Sequence, residues 1–337
     1  MGETRRIHSL RTRLFAHAEV CRVDTLFYVG PVAVAGALLT GAPVAAWQLV
    51  GVWLVPTLGW VASLYGGDFY DRDLDAGAKP HRPIPSGRMS PRAAFAGMWV
   101  TILLGGGIAV ALDPRNLVLV LLAGALGVAY SRLLKARGIL GNLVRGGPTA
   151  LALILGALSV SGTVPVELLP VALLLWIHDS SSNLIGALCD TAGDAEGGYR
   201  TFPVRHGDLA TLRVIALFDL AWFALAVALP LWWPTDVDTA AYAIVLLPAV
   251  LLTVSSVRVL VRAGRPVPRA DGLRAHELIV IERLCLPSAF IAGHNGLGAA
   301  LAVLLPTAAL TIAGQAAMRH RYEPNRRVAG ARPGVRS

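Results

Sequence analysis

Long apolar runs separated by short polar connections dominate the chain. They cover residues 25–40, 44–65, 93–112, 116–130, 143–160, 166–188, 212–233, 240–257 and 284–317. A helix crossing a bilayer needs about 20 predominantly apolar residues, so the pattern predicts an all-α, polytopic membrane helical bundle. The last run is too long for one ordinary span. It holds one tilted helix, giving nine transmembrane helices, or it breaks near His294-Asn295-Gly296, giving ten. Gly and Pro within the runs (Pro31, Pro56, Pro148, Pro170, Pro248) fit membrane helices, which tolerate them better than soluble ones do.

Composition strengthens this reading. Of 337 residues, 55% are hydrophobic and 15% charged, against about 25% charged in an ordinary soluble domain, and the mean hydropathy is +0.60. The net charge of +9 does not indicate a nucleic-acid binder, because the basic residues cluster between apolar runs. Cys21, Cys189 and Cys285 are far apart and lack CxxC spacing, so neither a disulfide framework nor a zinc site is expected. No small-residue cleavage site follows the first run, and the first helix is expected to remain as an anchor. Three segments result: a basic cytoplasmic segment at 1–24, a transmembrane domain at 25–317 and a basic, disordered tail at 318–337.

Lys and Arg in the connections set the orientation. The segment up to Arg22 holds five, the connection after the second run five, that after the fourth three, that after the sixth three when Arg213 at the start of the next run is included, and that after the eighth six. The alternate connections carry only Arg115. The N-terminus and the long loops are therefore expected on the cytoplasmic side of the cell membrane. The six arginines from Arg319 onward favour a cytoplasmic C-terminus and hence a tenth pass.

Candidate chemistry sits in two of these loops. After the second run come Asp68, Asp71, Asp73 and Asp75. At about 100° per residue, a continuing helix places Asp68, Asp71 and Asp75 within roughly 60° of one another, with Asp73 pointing away. Three carboxylates on one face require a compensating cation, and their hard oxygens suit Mg²⁺, which usually binds one or two carboxylates plus substrate phosphate. The alternative is a solvated acidic helix end paired with Arg72 and Lys79. After the sixth run Asp190 and Asp194 stand at i and i+4, on one helical face. Two aspartate faces on one side of the membrane are suited to holding a diphosphate between two Mg²⁺ ions, with Lys79, Arg82, Lys135 and Arg200 supplying charge to its oxygens. Such a site ionises an allylic diphosphate whose isoprenoid tail lies among apolar helices.

At these residues the sequence resembles the UbiA-type intramembrane prenyltransferase superfamily. The stretch from Gly67 to Gly87, with its Lys79-Pro80-His81-Arg82-Pro83-Ile84-Pro85-Ser86-Gly87 continuation, is similar to the family's first motif, Asn-Asp-x-x-Asp-x-x-x-Asp. The stretch from Asp190 to Val204 is similar to its second, and Tyr130, Lys135 and Gly141-Asn142 to its conserved region after the fourth helix. The resemblance spans roughly residues 20 to 300. It implies a bundle around a central cavity open to lipid and capped on the cytoplasmic side. Asp68, Asp71 and Asp75 would hold one metal and Asp190 and Asp194 the other, while Tyr130 would shield the allylic cation. Three positions depart from the pattern: Gly67 replaces a metal-site Asn, Glu196 a Lys, and Asn183 an acidic residue of the 4-hydroxybenzoate enzymes.

The expected activity is Mg²⁺-dependent prenyl transfer from an isoprenoid diphosphate to a hydrophobic or aromatic acceptor within the membrane lipid, with no nucleic-acid partner. Rival readings are a cyclase of the same architecture that needs no acceptor, and a lipid or isoprenoid transporter. The transporter calls for broken helices and charges at the midplane, whereas these charges gather at one face. Ionisable residues inside a span are functional candidates by default, so His178 and Asp179 either border the acceptor pocket or make structural hydrogen bonds. Asp219 is expected to be paired within the bundle, His294 and Asn295 to mark a helix break, and Trp232 and Trp233 to join the interfacial belt.

Overall fold

The computed structural model describes residues 10–233 and 236–322, so most of the 318–337 tail and residues 1–9 lie outside the described residues. All regular structure in the described residues is helical: α1 Leu10–Val20, α2 Val29–Leu38, α3 Ala46–Tyr70, α4 Arg72–Ala78, α5 Pro91–Leu112, α6 Asn116–Ala129 extended by a π-helical turn Tyr130–Leu134, α7 Ile139–Ser161, α8 Leu168–Cys189, α9 Thr191–Glu196, α10 Phe202–Trp232, α11 Thr239–Arg262, α12 Arg269–Asn295 and α13 Leu297–Tyr322. Among the described residues, eight helices (α3, α5, α6 with its π turn, α7, α8, α10, α11 and most of α13) are long and apolar enough to cross a membrane.

Two helices differ from the hydropathy pattern. The first run yields only the ten residues of α2, because residues 21–28 form turns that connect it to α1. The final run breaks at Gly296, whose φ of +87° favours glycine. Its first part begins at Arg269 rather than near residue 284, since α12 carries Asp271, Arg274, Glu277, Glu282 and Arg283 in its first four turns. Glu282 and Arg283 are matched by His178 and Asp179 of α8, so α12 sits in the bundle although its composition conceals it.

Burial divides the helices into two groups. None of α6's most apolar window is buried, against 67% of that of α8; α8 is therefore central, and α6 presents Leu117, Val118, Leu121 and Leu122 outward. Lipid tails are as apolar as leucine, so outward leucines cost nothing in a bilayer, and helix association relies on close packing instead. The core joins α2, α7, α8, α10, α11 and α12 around Leu153, Leu174, Leu175, Trp222 and Phe290. At the α2–α7 contact, a Cβ on Gly36 would lie 2.0 Å from the Leu153 carbonyl oxygen and one on Gly156 1.9 Å from that of Ala33.

This backbone contact admits no side chain. Gly156→Ala is expected to cost about 1–3 kcal/mol through overpacking, read as a lower Tm in detergent, whereas Gly59→Ala, where an added Cβ meets nothing within 4 Å, should leave the Tm unchanged or raised. Equal Tm values for the two variants would show that α2 and α7 are not in backbone contact.

Candidate active site

The first carboxylate group forms where α3 ends. Tyr70 closes α3, Asp71 bridges to α4 with φ −90° and ψ 7°, and the short α4 continues the turn. Asp68 and Asp75 are thereby buried, at 6% and 4% exposure. The loop after α4 folds back through a bond from Arg82 N–H to the Lys79 carbonyl (3.0 Å) and one from Ser86 N–H to the Arg82 carbonyl (3.0 Å). Pro80, Pro83 and Pro85 restrict its backbone. Arg82 Nη1 consequently donates to Asp75 Oδ2 at 2.6 Å and to Asp68 Oδ1 at 3.3 Å. Arg22 Nη2 lies 3.7 Å from the same Asp68 oxygen. Of the three aspartates expected on one face, Asp68 and Asp75 share a guanidinium. Asp71, at the junction, is exposed, although its charge still acts on Asp68.

The second group caps α8. Asp190 ends that helix, and Asp194 N–H bonds back to the Asp190 carbonyl at 2.8 Å to start α9. Asp194 is buried, with its Oδ1 3.1 Å from Lys135 Nζ. Lys135 arrives there through the π turn, in which its N–H reaches the Tyr130 carbonyl at 2.8 Å. An i→i+5 turn brings Tyr130 and Lys135 to the same side of the helix end, and such turns often occur at functional sites. The Lys135 ammonium also lies 4.3 Å above the Tyr199 ring, a cation–π contact. Arg269 Nη1 donates to Asp190 Oδ1 at 2.7 Å and to the Cys189 carbonyl at 3.1 Å.

Electrostatics link the two groups. Burial pulls the Lys79 ammonium below its usual range, and Asp190 and Asp75, one from each group, act in the opposite direction. Burial alone would raise the Asp190 carboxyl; the Lys79 and Arg269 charges outweigh it and hold the group below the usual aspartate range. Lys135 is raised in spite of burial because Asp194 stabilises its charged form. Among the described residues, no three acidic, imidazole or thiol side chains converge as a ready-made metal cage; the aspartates face cations instead. An all-oxygen donor set of this kind fits Mg²⁺, which prefers few protein carboxylates and completes its shell with phosphate and water.

The remaining candidates divide in the same way. Arg82 and Lys135 pair with these aspartates, the Lys79 charge acts on Asp75 and Asp190, and the Tyr130 carbonyl holds Lys135, whereas Glu196 at the end of α9 and Arg200 just beyond it are exposed. Gly67 has open space where a side chain would go. Asn183 accepts a hydrogen bond from Asn142 at 2.8 Å. In the sequence pattern Arg22 and Arg269 stand only as orientation charges. No local spacing identifies them, since each meets its aspartate only after the chain has folded.

Deeper in the bundle, Asp179 lies 11 residues before Asp190, about 16 Å along the helix. It pairs with Arg283 and, at 3.8 Å, with Arg145, while His178 Nε2 lies 2.5 Å from Glu282 Oε2. Asp219 accepts from Ser181 at 2.7 Å and from the Trp222 indole at 3.2 Å. His178 and Asp179 thus connect α8 to α12 and α7, and Asp219 is paired within the bundle. His294 and Asn295 end α12 at the break, with Trp233 and His294 in an edge-to-face contact at 4.3 Å between ring centres; Trp232 is 80% exposed.

The sequence matches the UbiA prenyltransferase family over residues 28–275. Among similar proteins, the digeranylgeranylglyceryl phosphate synthase of Hyperthermus butylicus is 32% identical over 287 residues, covering 81% of this chain and 90% of that one. The enzyme of the same name from Methanopyrus kandleri is 32% identical over 219 residues, covering 64% of this chain and 78% of that one. The fold matches a UbiA homologue from Archaeoglobus fulgidus solved with GPP and Mg²⁺, with a TM-score of 0.61 at 16% identity, over 81% of this chain and 99% of that one. It also matches an apo UbiA homologue from Aeropyrum pernix, with a TM-score of 0.59 at 17% identity, over 88% and 98% of the two chains. The family match covers most of the chain and contains both aspartate groups, so the chain belongs to the UbiA prenyltransferase family, as an all-helical membrane prenyltransferase.

Proposed function

We propose that the protein transfers a prenyl group from an isoprenoid diphosphate to the hydroxyl of an amphiphilic acceptor carrying a glyceryl phosphate. The observation that carries this reading is a pair of aspartate groups held on cations, Asp68 and Asp75 on Arg82 and Asp190 and Asp194 on Arg269 and Lys135, with the Lys79 charge acting on Asp75 and Asp190 alike. Asp68, Asp71, Asp75, Asp190 and Asp194 would hold Mg²⁺, which when bound would neutralise the oxygens of the leaving diphosphate. Lys79, Arg82 and Lys135 then exchange carboxylate partners for phosphate oxygens, and Arg200 adds charge at the mouth. Charge-assisted contacts of this kind stabilise the group that becomes more negative as the allylic C–O bond breaks. Tyr130, held beside Lys135, shields the allylic carbon from water. The acceptor oxygen bonds to that carbon, the electron pair of the broken bond leaves with the diphosphate, and the acceptor proton passes to solvent.

Two observations favour a phosphate-bearing acceptor over the wider hydrophobic or aromatic class. The similar synthases named above have a glyceryl phosphate in their product name. Arg200 and Arg269 leave cationic surface exposed at the aspartate end of the bundle, where an anionic headgroup would rest. The arginine-rich connections favour the cytoplasm for this end, and the break at Gly296 returns α13 to the same side, which suits the arginines of the sequence from Arg319 onward.

Asp75→Asn and Asp194→Asn are each expected to lower turnover by at least about a hundredfold while Tm in detergent stays within a few degrees of wild type. Wild-type rates at limiting Mg²⁺ would remove the two-group site. Gly67→Asn adds a neutral oxygen ligand in open space and is expected to lower the Mg²⁺ concentration for half-maximal activity; an unchanged Mg²⁺ dependence would place residue 67 outside the metal shell.

Transfer and cyclisation share the loss of diphosphate and differ in what meets the cation. Labelled geranylgeranyl diphosphate alone should release little diphosphate, and adding a prenylated glyceryl phosphate should accelerate release and give a heavier, doubly prenylated product. Rapid acceptor-free conversion to a cyclic hydrocarbon or alcohol would assign the protein to cyclisation instead.

A further inference from the structure

The N-terminal segment contributes more than positive charge. Helix α1 is fixed to the aspartate end of the bundle: Arg88 makes a two-pronged ion pair with Glu19, at 2.5 and 3.0 Å, and His17 Nδ1 lies 2.6 Å from the Tyr65 hydroxyl. Ala16 and Val20 pack with Tyr65, Ile84 and Met89. Just past the end of α1, Arg22 has φ +44°, the sole non-glycine residue with positive φ among the described residues. Glycine or asparagine is the usual choice where a helix ends in this conformation, and a larger L-residue there is strained. The strained backbone is tied by bonds from Arg22 N–H to the Glu19 carbonyl (3.2 Å) and from Thr25 N–H to the Arg22 carbonyl (2.8 Å).

The side chain explains what the backbone does not. Arg22 Nη2 approaches Asp68 Oδ1 at 3.7 Å, and the Arg22 charge also acts on Asp190 and Asp24. The guanidinium thus sits at the first aspartate group, and its charge extends to Asp190 of the second. Its side chain is 38% exposed, which leaves it free to turn from a carboxylate to an incoming anion. The family match begins at residue 28, so Arg22 falls outside it.

We infer that Arg22 is a tethered cation that neutralises Asp68 before metal binds and then becomes a ligand of the donor's diphosphate. This inference rests on the two-group reading above. It predicts effects of opposite sign. Without substrate, Arg22 competes with Mg²⁺ for Asp68 and repels it; with diphosphate present, the same charge attracts the anion.

The test uses the purified full chain in detergent, with Mg²⁺ alone and inorganic pyrophosphate plus Mg²⁺ titrated by calorimetry. Arg22→Gly, which also relieves the left-handed backbone, and Arg22→Gln should each bind Mg²⁺ alone several-fold more tightly. Both should bind pyrophosphate with Mg²⁺ roughly tenfold more weakly, the equivalent of one charge-assisted contact. Arg22→Lys should lie close to wild type in both titrations, and Arg22→Gly should keep or raise the Tm. Unchanged pyrophosphate affinity in Arg22→Gly and Arg22→Gln, or both affinities shifting in the same direction, would overturn the proposal. Asp194→Asn separates the two levels of inference. If it abolishes Mg²⁺-dependent pyrophosphate binding while Arg22→Gly does not weaken it, only the role of Arg22 falls; if pyrophosphate binding is indifferent to both Mg²⁺ and Asp194, the two-group site falls and the role of Arg22 with it.

Discussion

Neutralising carboxylates at the edge of an apolar bundle is the constraint on which the structure depends. An unpaired buried charge is costly, and pairing lowers that cost only where geometry allows close contact. Asp68, Asp75 and Asp194 are buried and each meets an arginine or lysine, while Asp190 meets Arg269. These cations come from the turn after α1, the loop after α4, the π turn after α6 and the start of α12. The aspartate end is therefore a point where distant parts of the chain converge through charge.

The same pairs keep the site ready for a different arrangement. In the proposed reaction a metal-bound diphosphate would supply the opposite charges to both partners: cations for the aspartates and anionic oxygens for the arginines and lysines. Exchange of partners then conserves neutrality throughout, which avoids leaving any charge unpaired in a region of low dielectric. Flexible lysine and arginine stems suit that exchange, and a rigid cage of acidic residues would not. The prolines of the loop after α4 and the π turn after α6 restrict the backbone while leaving these side chains their reach.

Below that end, the bundle is held by a different balance. Lipid provides no hydrophobic force between helices, so α2 and α7 gain contact through Gly36 and Gly156, and α8 joins α12 through His178 with Glu282 and Asp179 with Arg283. These buried polar links join central helices, whereas α6 has its apolar surface toward lipid. The pairing also explains why α12 carries several charges within the bundle without disrupting it.

The chain's own pattern determined the membrane class, the all-helical fold, most helix positions and the two aspartate motifs. Each of these is written in local periodicity: some 20 apolar residues span a bilayer, and i, i+4 spacing puts two side chains on one helical face. The length of the last run left one tilted helix or a break near Gly296 open, and the fold takes the break. Tertiary structure alone decided the rest. It withdrew Asp71 from the buried pair because the chain turns between α3 and α4, and it hid the start of α12 from hydropathy because the partners of Glu282 and Arg283 lie on α8. It brought Arg22 to Asp68, 46 residues away, and Arg269 to Asp190, 79 residues away. A sequence shows which residues carry charge, but which opposite charge each one meets depends on helix packing, and over such separations no local repeat encodes it.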